Sequence, residues 1–302
     1  MNKTTVSIVR VNDINESVKR AVELAGGLGI KEGDTVVIKP NAKSQSPPGY
    51  GIVTDPRIIE AVVDLSFRQG AKKVKIADGA SYPTGAYDTM AAFEAIGISD
   101  IAKRWDVDLV DLNNYDSVDI DIPNGLALDW VRIGRSVIEA DVVVNLPVLK
   151  THRFTLISAC LKNIGVGCAT REEKKRLHRL GIDECIVDVY SIVKPNFNLV
   201  DGIITLEGEG PNFPPAKVKP LGLLIAGKDG LAVDGICAKI MGLEPSAIKH
   251  LKLAQKQGLG IIDLERIAIE GEHLEEVITE FELPSAFQLT NNSKGEKAHK
   301  DT

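Results

Sequence analysis

The sequence lacks an excess of positive charge. Among its 302 residues, 36 are lysine or arginine and 42 are aspartate or glutamate, which gives a net charge of −6. Proteins that bind nucleic acid through their overall charge carry the opposite imbalance. We therefore expect no nucleic-acid partner.

Cysteine is scarce and is not clustered. The four cysteines are Cys160, Cys168, Cys185 and Cys237, and no two of them are spaced as CxxC. Iron–sulfur clusters usually take four cysteines at tight spacings, so such a cluster is less favoured as a cofactor. Buried structural thiols are the simplest interpretation. A metal site built from Cys160, Cys168 and Cys185, or a zinc site with His152 or His178, is the alternative.

Long apolar runs are also missing. No stretch approaches the roughly 20 residues that span a bilayer. Residues 1–30 contain no continuous apolar segment of the kind found in secretory signals. We therefore expect a cytoplasmic protein with reduced thiols and no membrane partner.

Short apolar runs alternate with amphipathic segments along the chain. Strands are predicted at residues 6–9, 35–38, 73–77, 142–144, 198–200, 221–226 and 267–269. Helices are predicted between them, and one clear start is Asp55-Pro56, an aspartate cap followed by proline. This order predicts an α/β fold with a mainly parallel sheet and helices on both faces. We expect residues 1–290 to form a single domain and the polar residues 291–302 to form a disordered tail.

Residues 117–133 follow a different pattern. Apolar and polar residues alternate on both sides of Pro123-Asn124-Gly125. A period of two around a turn predicts an antiparallel hairpin, inserted in the main sheet or lying at its edge.

Polar side chains follow four of the predicted strands at the point where each strand ends. They are Lys39 and Asn41, Asp78, Asn145, and Asp201. The carboxyl ends of parallel strands share one edge of a sheet, where open α/β folds bind their ligands. The sequence therefore predicts a binding site there. The alternative is that Asp and Asn are ordinary turn residues.

The segment from Asn145 to His152 leads from a buried strand into Lys150 and His152, and Lys162, Asn163 and Gly165 follow shortly after. Cationic donors and a backbone that permits close approach are what a carboxylate or phosphate requires. The alternative is a surface loop with solvated lysines. A Schiff-base role for Lys150 or Lys162 requires a lowered pKa.

Two acidic residues in glycine-rich stretches are further candidates. Glu209 lies in an acidic loop after the strand that ends at Asp201, and Asp234 lies one turn into a predicted helix. Asp234 could be a metal ligand, or a favourable charge in the first helical turn. The basic run 174–179, with His178, is interpreted as a solvated helix face or an anion contact.

These motifs together resemble the domain-of-unknown-function 362 (DUF362) family over residues 4–285. The likeness lies in residues 145–152, 161–165, 201–211 and 226–234. Some relatives carry a ferredoxin-type module with clustered cysteines, and this sequence has no such segment. The resemblance implies a shared site that includes Lys150, His152, Lys162, Asn163, Asp201 and Asp234, and it names no reaction.

The leading hypothesis is an enzyme that acts on a small anionic substrate, a carboxylate or a phosphate. Lys150 and Lys162 would hold the charge and His152 would transfer a proton. Asp78, Asp201, Glu209 and Asp234 would orient His152 or hold a divalent metal ion. The alternative hypothesis is a redox or metal-binding module built on the cysteines. Because Pro147 should end its strand, we expect Lys150 just beyond it, in a solvent-filled cleft where its truncation costs little stability.

Overall fold

The computed structural model describes residues 3–80, 88–114, 116–211 and 216–288. The predicted disordered tail, residues 291–302, lies outside the described residues. The strands are β1 Thr4–Arg10, β2 Thr35–Pro40, β3 Lys73–Asp78, β4 Asp108–Asp111, β5 Ser117–Asp121, β6 Trp130–Gly134, β7 Val142–Leu146, β8 Val148–His152, β9 Leu156–Ser158, β10 Phe197–Gly208, β11 Ala216–Gly227 and β12 Ile267–Gly271. The α-helices are α1 Ile14–Leu24, α2 Pro56–Arg68, α3 Thr89–Ile96, α4 Ile98–Trp105, α5 Arg135–Ile138, α6 Cys160–Gly167, α7 Arg171–Leu180, α8 Ile182–Ile192, α9 Gly230–Ile240, α10 Lys249–Lys256 and α11 Leu274–Val277.

The main sheet has the strand order β12-β1-β11-β10-β7-β2-β3-β4, with β8 and β9 attached through β10. Strands β10, β7, β2, β3 and β4 run parallel to their neighbours in this order. Strand β11 is antiparallel to both β1 and β10. The predicted α/β fold with a mainly parallel sheet is therefore confirmed, with an antiparallel insertion on one side of its centre.

Both faces of the sheet are covered by helices. Val36 and Ile38 pack into one hydrophobic core and Val37 packs into the other. Successive side chains of a strand point to opposite faces, so a strand with two covered faces is apolar throughout. Residues 36–38 are therefore all apolar because helices cover both faces of the sheet at this strand.

Residues 117–133 form the predicted hairpin, as a separate two-stranded sheet of β5 and β6. Asn124 adopts a positive φ of 63° in the turn region, a conformation that asparagine tolerates better than most residues. The carboxylate of Asp188 on α8 accepts the backbone N–H groups of Leu126, Ala127 and Leu128 at 2.7–2.9 Å. The hairpin is therefore held against the helical layer and does not join the main sheet.

Helix length also bears on the question of membrane insertion. Within the described ranges, no helix is both long enough and apolar enough to cross a bilayer.

Candidate functional site

A small cavity opens where β2 and β3 end, beside the β8–β9 hairpin and helix α6. Its volume is about 70 Å³. We call it the lysine pocket because Lys43, Lys150, Lys162 and Lys174 line it. The other polar side chains in its wall are Asn41, Asp78, His152, Ser158 and Asn163. The cavity thus lies at the carboxyl edge of the sheet, where the strand ends bring their polar residues together.

The floor of the pocket contains a buried ion pair. Lys39 Nζ lies 2.6 Å from Asp78 Oδ1, and the side chains are 0% and 3% exposed. The same carboxylate accepts the backbone N–H groups of Ala42 at 2.6 Å and Gly79 at 2.8 Å. Asp78 therefore fixes the chain after β2 and the chain after β3 in one arrangement.

Lys150 lies within a strand, which corrects the expected position beyond the strand end. Pro147 interrupts the ladder only locally, because the chain resumes as β8 by pairing with β10 and β9. Lys150 is 2% exposed, and its side-chain nitrogen donates to Asn41 Oδ1 and to the carbonyl of Ile52. Burial, together with the charges of Lys43 and Lys162, lowers the pKa of Lys150 well below its ordinary value.

His152 lies two residues further along β8, on the same face of the strand. Its Nδ1 atom accepts the backbone N–H of Phe154 at 3.3 Å and lies 3.2 Å from Thr155 Oγ1. An accepting Nδ1 places the proton of the neutral ring on Nε2. Burial, followed by the charges of Lys162 and Lys43, lowers the pKa of His152 well below 6.5. The ring is therefore neutral at physiological pH.

The remaining lysines give the pocket an excess of positive charge. Burial, aided by the charge of Lys162, lowers the pKa of Lys43 to about 7. Burial lowers the pKa of Lys162 to about 8, although Asp183 opposes the shift. Among the residues that the structure describes, neither ammonium group has a hydrogen-bond or ion-pair partner. Two lysine side chains therefore line the cavity without a direct hydrogen-bond or ion-pair partner among the described residues.

Lys174 on α7 is the fourth lysine of the pocket. Its ammonium group donates to the carbonyl of Gly79 at 2.8 Å and to Asn113 Oδ1 at 2.7 Å. Burial lowers the pKa of Lys174 to about 8. Sequence reasoning interpreted the basic run 174–179 as a solvated face. The helical period could have predicted the burial of Lys174. Lys174 lies one turn before the buried Leu177, so the two side chains share a face of the helix.

Lys43 was missed for a different reason. It lies in the irregular segment after β2, where no period predicts which side chains point inward. His178, in contrast, was considered as an anion contact, and it lies near the pocket. Burial, together with the charges of Lys162 and Lys43, lowers its pKa.

Asn163 lines the pocket, whereas Asn145 lies beneath it. The Asn163 amide donates to Asn145 Oδ1 at 2.8 Å, and Asn145 in turn donates to Asn198 Oδ1 at 2.9 Å. Asn145 also donates to the carbonyl of Cys160 at 3.1 Å. The Asn145 amide thus joins β7, β10 and α6. Asn145 therefore supports the wall of the pocket, which corrects the direct substrate contact predicted from the sequence.

Gly165 does not face the cavity either. A Cβ atom at this position would come within 2.8 Å of the Ile186 backbone, so the glycine permits close packing of α6 on α8. The glycine that lines the pocket from this helix is Gly167.

Three predicted acidic residues lie outside the pocket wall. Asp201 accepts the backbone N–H groups of Asp55 and Ile203, and burial raises its pKa to about 6. The charges of Asp201 and Lys150 nevertheless interact. Glu209 accepts the backbone N–H of Ser285 at 2.8 Å.

Asp234 is buried beneath the first turn of α6. Its two carboxylate oxygens accept the backbone N–H groups of Cys160 at 2.6 Å and Leu161 at 2.9 Å. These bonds satisfy donors that the start of a helix leaves unpaired. Asp234 is therefore a cap for α6, and this replaces the expectation that it could hold a divalent ion.

The cysteines do not assemble a metal centre in the described part of the chain, where no group of three or more histidine, cysteine, aspartate or glutamate residues could hold a metal ion. Cys160, Cys168 and Cys185 are buried free thiols. Burial raises the pKa of Cys168 to about 12 and of Cys185 to about 11, and that of Cys160 well above its ordinary value. Without a bound metal ion, the thiol and not the thiolate is therefore the stable form at these positions.

Comparison with known proteins places the chain in a family. A family model described as a domain of unknown function, DUF362, matches residues 36–239. The chain belongs to this family. It is similar to a thylakoid-associated protein of Synechocystis, with 30% identity over 255 residues, which cover 80% of this chain and 74% of the relative. The DUF362 match spans β2 through most of α9, and so contains every strand and helix that lines the lysine pocket.

Two solved structures are more distantly similar. One is a protein from Thermotoga maritima, with a TM-score of 0.46. The other is the lactate racemase apoprotein from Thermoanaerobacterium thermosaccharolyticum, with a TM-score of 0.43. Each is 16% identical and matches 80% of this DUF362 chain. The chain spans 58% of the length of either solved chain.

Proposed function

We propose that this DUF362 protein is an enzyme that binds a small anionic substrate, a carboxylate or a phosphate, in the lysine pocket. The observation that carries the proposal is the pair of lysine side chains that lack a direct partner. Lys43 and Lys162 face the cavity, and neither has a hydrogen-bond or ion-pair partner among the described residues. Both side chains are half-buried. A lysine held partly out of water without such a partner is uncommon, so an anionic ligand is the natural complement.

The charge balance of the pocket supports the same conclusion. Asp78 is the one carboxylate among the described residues of its wall, and it is already paired with Lys39. An anion at the centre of the cavity would supply the missing negative charge. Charge-assisted hydrogen bonds from several ammonium groups are a common means of holding carboxylate or phosphate.

The size of the cavity limits what enters it. A water molecule needs on the order of 10–15 Å³ of such space, so 70 Å³ accepts the head group of a substrate or a molecule of a few heavy atoms. The proposed ligand is accordingly small, and any larger portion of it would extend out of the pocket.

The pocket also contains groups able to transfer protons near neutral pH. His152 is neutral, with its proton on Nε2, and the pKa of Lys43 is about 7. General acids and bases work best when their pKa is close to the pH of the reaction. Lys43 meets this condition and is the proposed proton-transfer group. His152, whose pKa lies well below 6.5, is proposed to donate from Nε2 as a neutral ring, and Lys162 is the proposed charge-binding group.

Substitution of the unpaired lysines tests the proposal. In Lys43→Met and in Lys162→Met, we expect the affinity for lactate and for inorganic phosphate to fall about ten- to a hundredfold, since a hydrogen bond to a charged group contributes about 1.5–3 kcal/mol. Isothermal titration calorimetry at fixed salt measures the change. Lys252→Met, at an exposed site on α10, is the matched control and should bind as the unmodified protein does. Equal affinity in all three variants would make these lysines ordinary charges and would refute the proposal.

Anion binding should also depend on pH with a definite sign. A bound anion favours the protonated lysines, whose pKa values in the free protein are about 7 for Lys43 and about 8 for Lys162. Binding therefore takes up protons, and affinity should fall about tenfold or more between pH 7 and pH 9. Lactate is a suitable probe because it stays ionised throughout this range.

Calorimetry in buffers of different ionisation enthalpy counts the protons taken up. In Lys43→Met the decline should begin about one pH unit higher, because only the lysines that titrate near 8 remain. An affinity that rises with pH would contradict the proposed role of the lysines.

A further inference from the structure

The hydrogen bonds of Lys150 fit a free amine. Its nitrogen donates to two acceptors, Asn41 Oδ1 and the carbonyl of Ile52. A neutral amine has two N–H bonds and one lone pair, so these acceptors use both hydrogens. The lone pair is then not engaged by either acceptor, and Lys150 is part of the cavity wall.

The neighbours of Lys150 favour the same state. Lys43 and Lys162 line the same cavity, and their charges disfavour a third ammonium group. Burial beside other cations is the environment that turns a lysine into a nucleophile toward carbonyl carbon. His152, on the same face of β8, brings a neutral ring to the same wall.

We propose that Lys150 attacks the carbonyl carbon of a small oxo acid and forms an imine, while Lys162 holds the carboxylate of that substrate. This inference rests on the proposed function and narrows the substrate class from small anions to those that also carry an aldehyde or ketone. Inorganic phosphate and hydroxy acids would occupy the pocket without reacting.

The reaction balances with the groups present. The Lys150 nitrogen forms a bond to the carbonyl carbon, and the carbonyl π electrons move to oxygen, which gains a proton as the nitrogen loses one. The Lys43 ammonium group gives a proton to the resulting hydroxyl, which leaves as water. The nitrogen then releases its second hydrogen as a proton, which returns to Lys43. The net change is amine plus carbonyl to imine plus one water.

Reductive trapping tests the inference on the intact protein. The protein is incubated with pyruvate, or with glyoxylate, and sodium cyanoborohydride, which reduces an imine to a stable secondary amine. We expect one addition per chain, with the mass of the oxo acid less one oxygen atom, and peptide mapping should place it on Lys150. Lactate under the same conditions is the control without a carbonyl, and exposed Lys252 is the internal reference for non-specific labelling.

The outcomes separate this inference from the proposed function. An addition confined to Lys150, and absent in Lys150→Arg, supports imine formation. Labelling of Lys43 or Lys162 in its place, labelling no faster than that of Lys252, or no labelling overturns it. A parallel lactate titration tests the proposed anion binding separately. If lactate binds but no oxo acid labels the protein, the proposed anion binding is supported and imine formation is refuted. The mapping uses the unmodified protein, so the test holds even if Lys150→Arg does not fold.

Discussion

Asp78→Asn is expected to destabilise the protein by about 3–5 kcal/mol, the usual cost of removing one member of a buried ion pair. Lys39 would keep its charge with no counter-ion, because its side chain is 0% exposed and lies 2.6 Å from the lost carboxylate. The amide would also weaken the contacts to the N–H groups of Ala42 and Gly79. Urea unfolding followed by circular dichroism measures the change.

The double variant Lys39→Met/Asp78→Asn is the control for this effect. It removes both charges, so most of the lost stability should return, since a buried pair can often be replaced by neutral groups at little cost. If Asp78→Asn alone unfolds at the same urea concentration as the unmodified protein, the pair does not stabilise the floor of the lysine pocket. If the double variant is as unstable as the single one, the loss comes from the backbone contacts of Asp78.

Asp234→Ala is expected to cost about 2–4 kcal/mol, because it leaves two buried N–H groups without acceptors. The bonds from Cys160 and Leu161 go to the two separate oxygens of the carboxyl group, at 2.6 and 2.9 Å. Burial of the carboxylate offsets part of the stability that these bonds contribute, as the raised pKa of Asp234 indicates. The same variant should weaken lactate binding, since α6 carries Lys162 and Asn163 into the lysine pocket.

Asp13→Ala is the matched control, a carboxylate that caps a helix at the surface. Asp13 accepts the N–H of Glu16 at 3.0 Å at the start of α1, and its loss should cost about 1 kcal/mol without affecting lactate binding. Thermal and urea unfolding of the two variants, beside lactate titration, make the comparison. If the two variants lose equal stability, the buried cap at Asp234 stabilises the protein no more than the surface cap at Asp13. If Asp234→Ala binds lactate with unchanged affinity, the position of α6 in the pocket does not depend on the Asp234 carboxylate.

Local patterns in the sequence were sufficient to predict the fold class. The apolar run at residues 36–38 predicts a strand covered on both faces, and Asp55-Pro56 predicts the start of α2. The alternation around Asn124 predicts a hairpin. Each of these is a property of a few neighbouring residues, so period and capping chemistry decide it. The antiparallel position of β11 was not predicted, because strand order depends on contacts between distant segments.

The location of the candidate site followed from the same local reasoning. Lysine, asparagine and aspartate at the ends of parallel strands meet because those ends share an edge, and this brings Asn41, Asp78, Lys150 and His152 to one cavity. What each side chain does there was not readable from the sequence. Asn145, Gly165 and Asp234 support the walls of the pocket, while Lys43 and Lys174 reach it from a loop and from a helix.

The sequence by itself thus determined the α/β architecture and the edge of the sheet at which the lysine pocket lies. Only the tertiary structure decided which charges are paired and which are not. The pairing of Lys39 with Asp78 joins different strands, and the contact of Lys150 with Asn41 joins segments still further apart along the chain. The physical reason is that burial and pairing set the charge state of a lysine, and both arise from long-range packing. Lysine residues that look alike in the printed sequence therefore differ: Lys39 is paired with a carboxylate, and Lys150 donates to two uncharged acceptors. Lys43 and Lys162 line the cavity without a hydrogen-bond or ion-pair partner among the described residues.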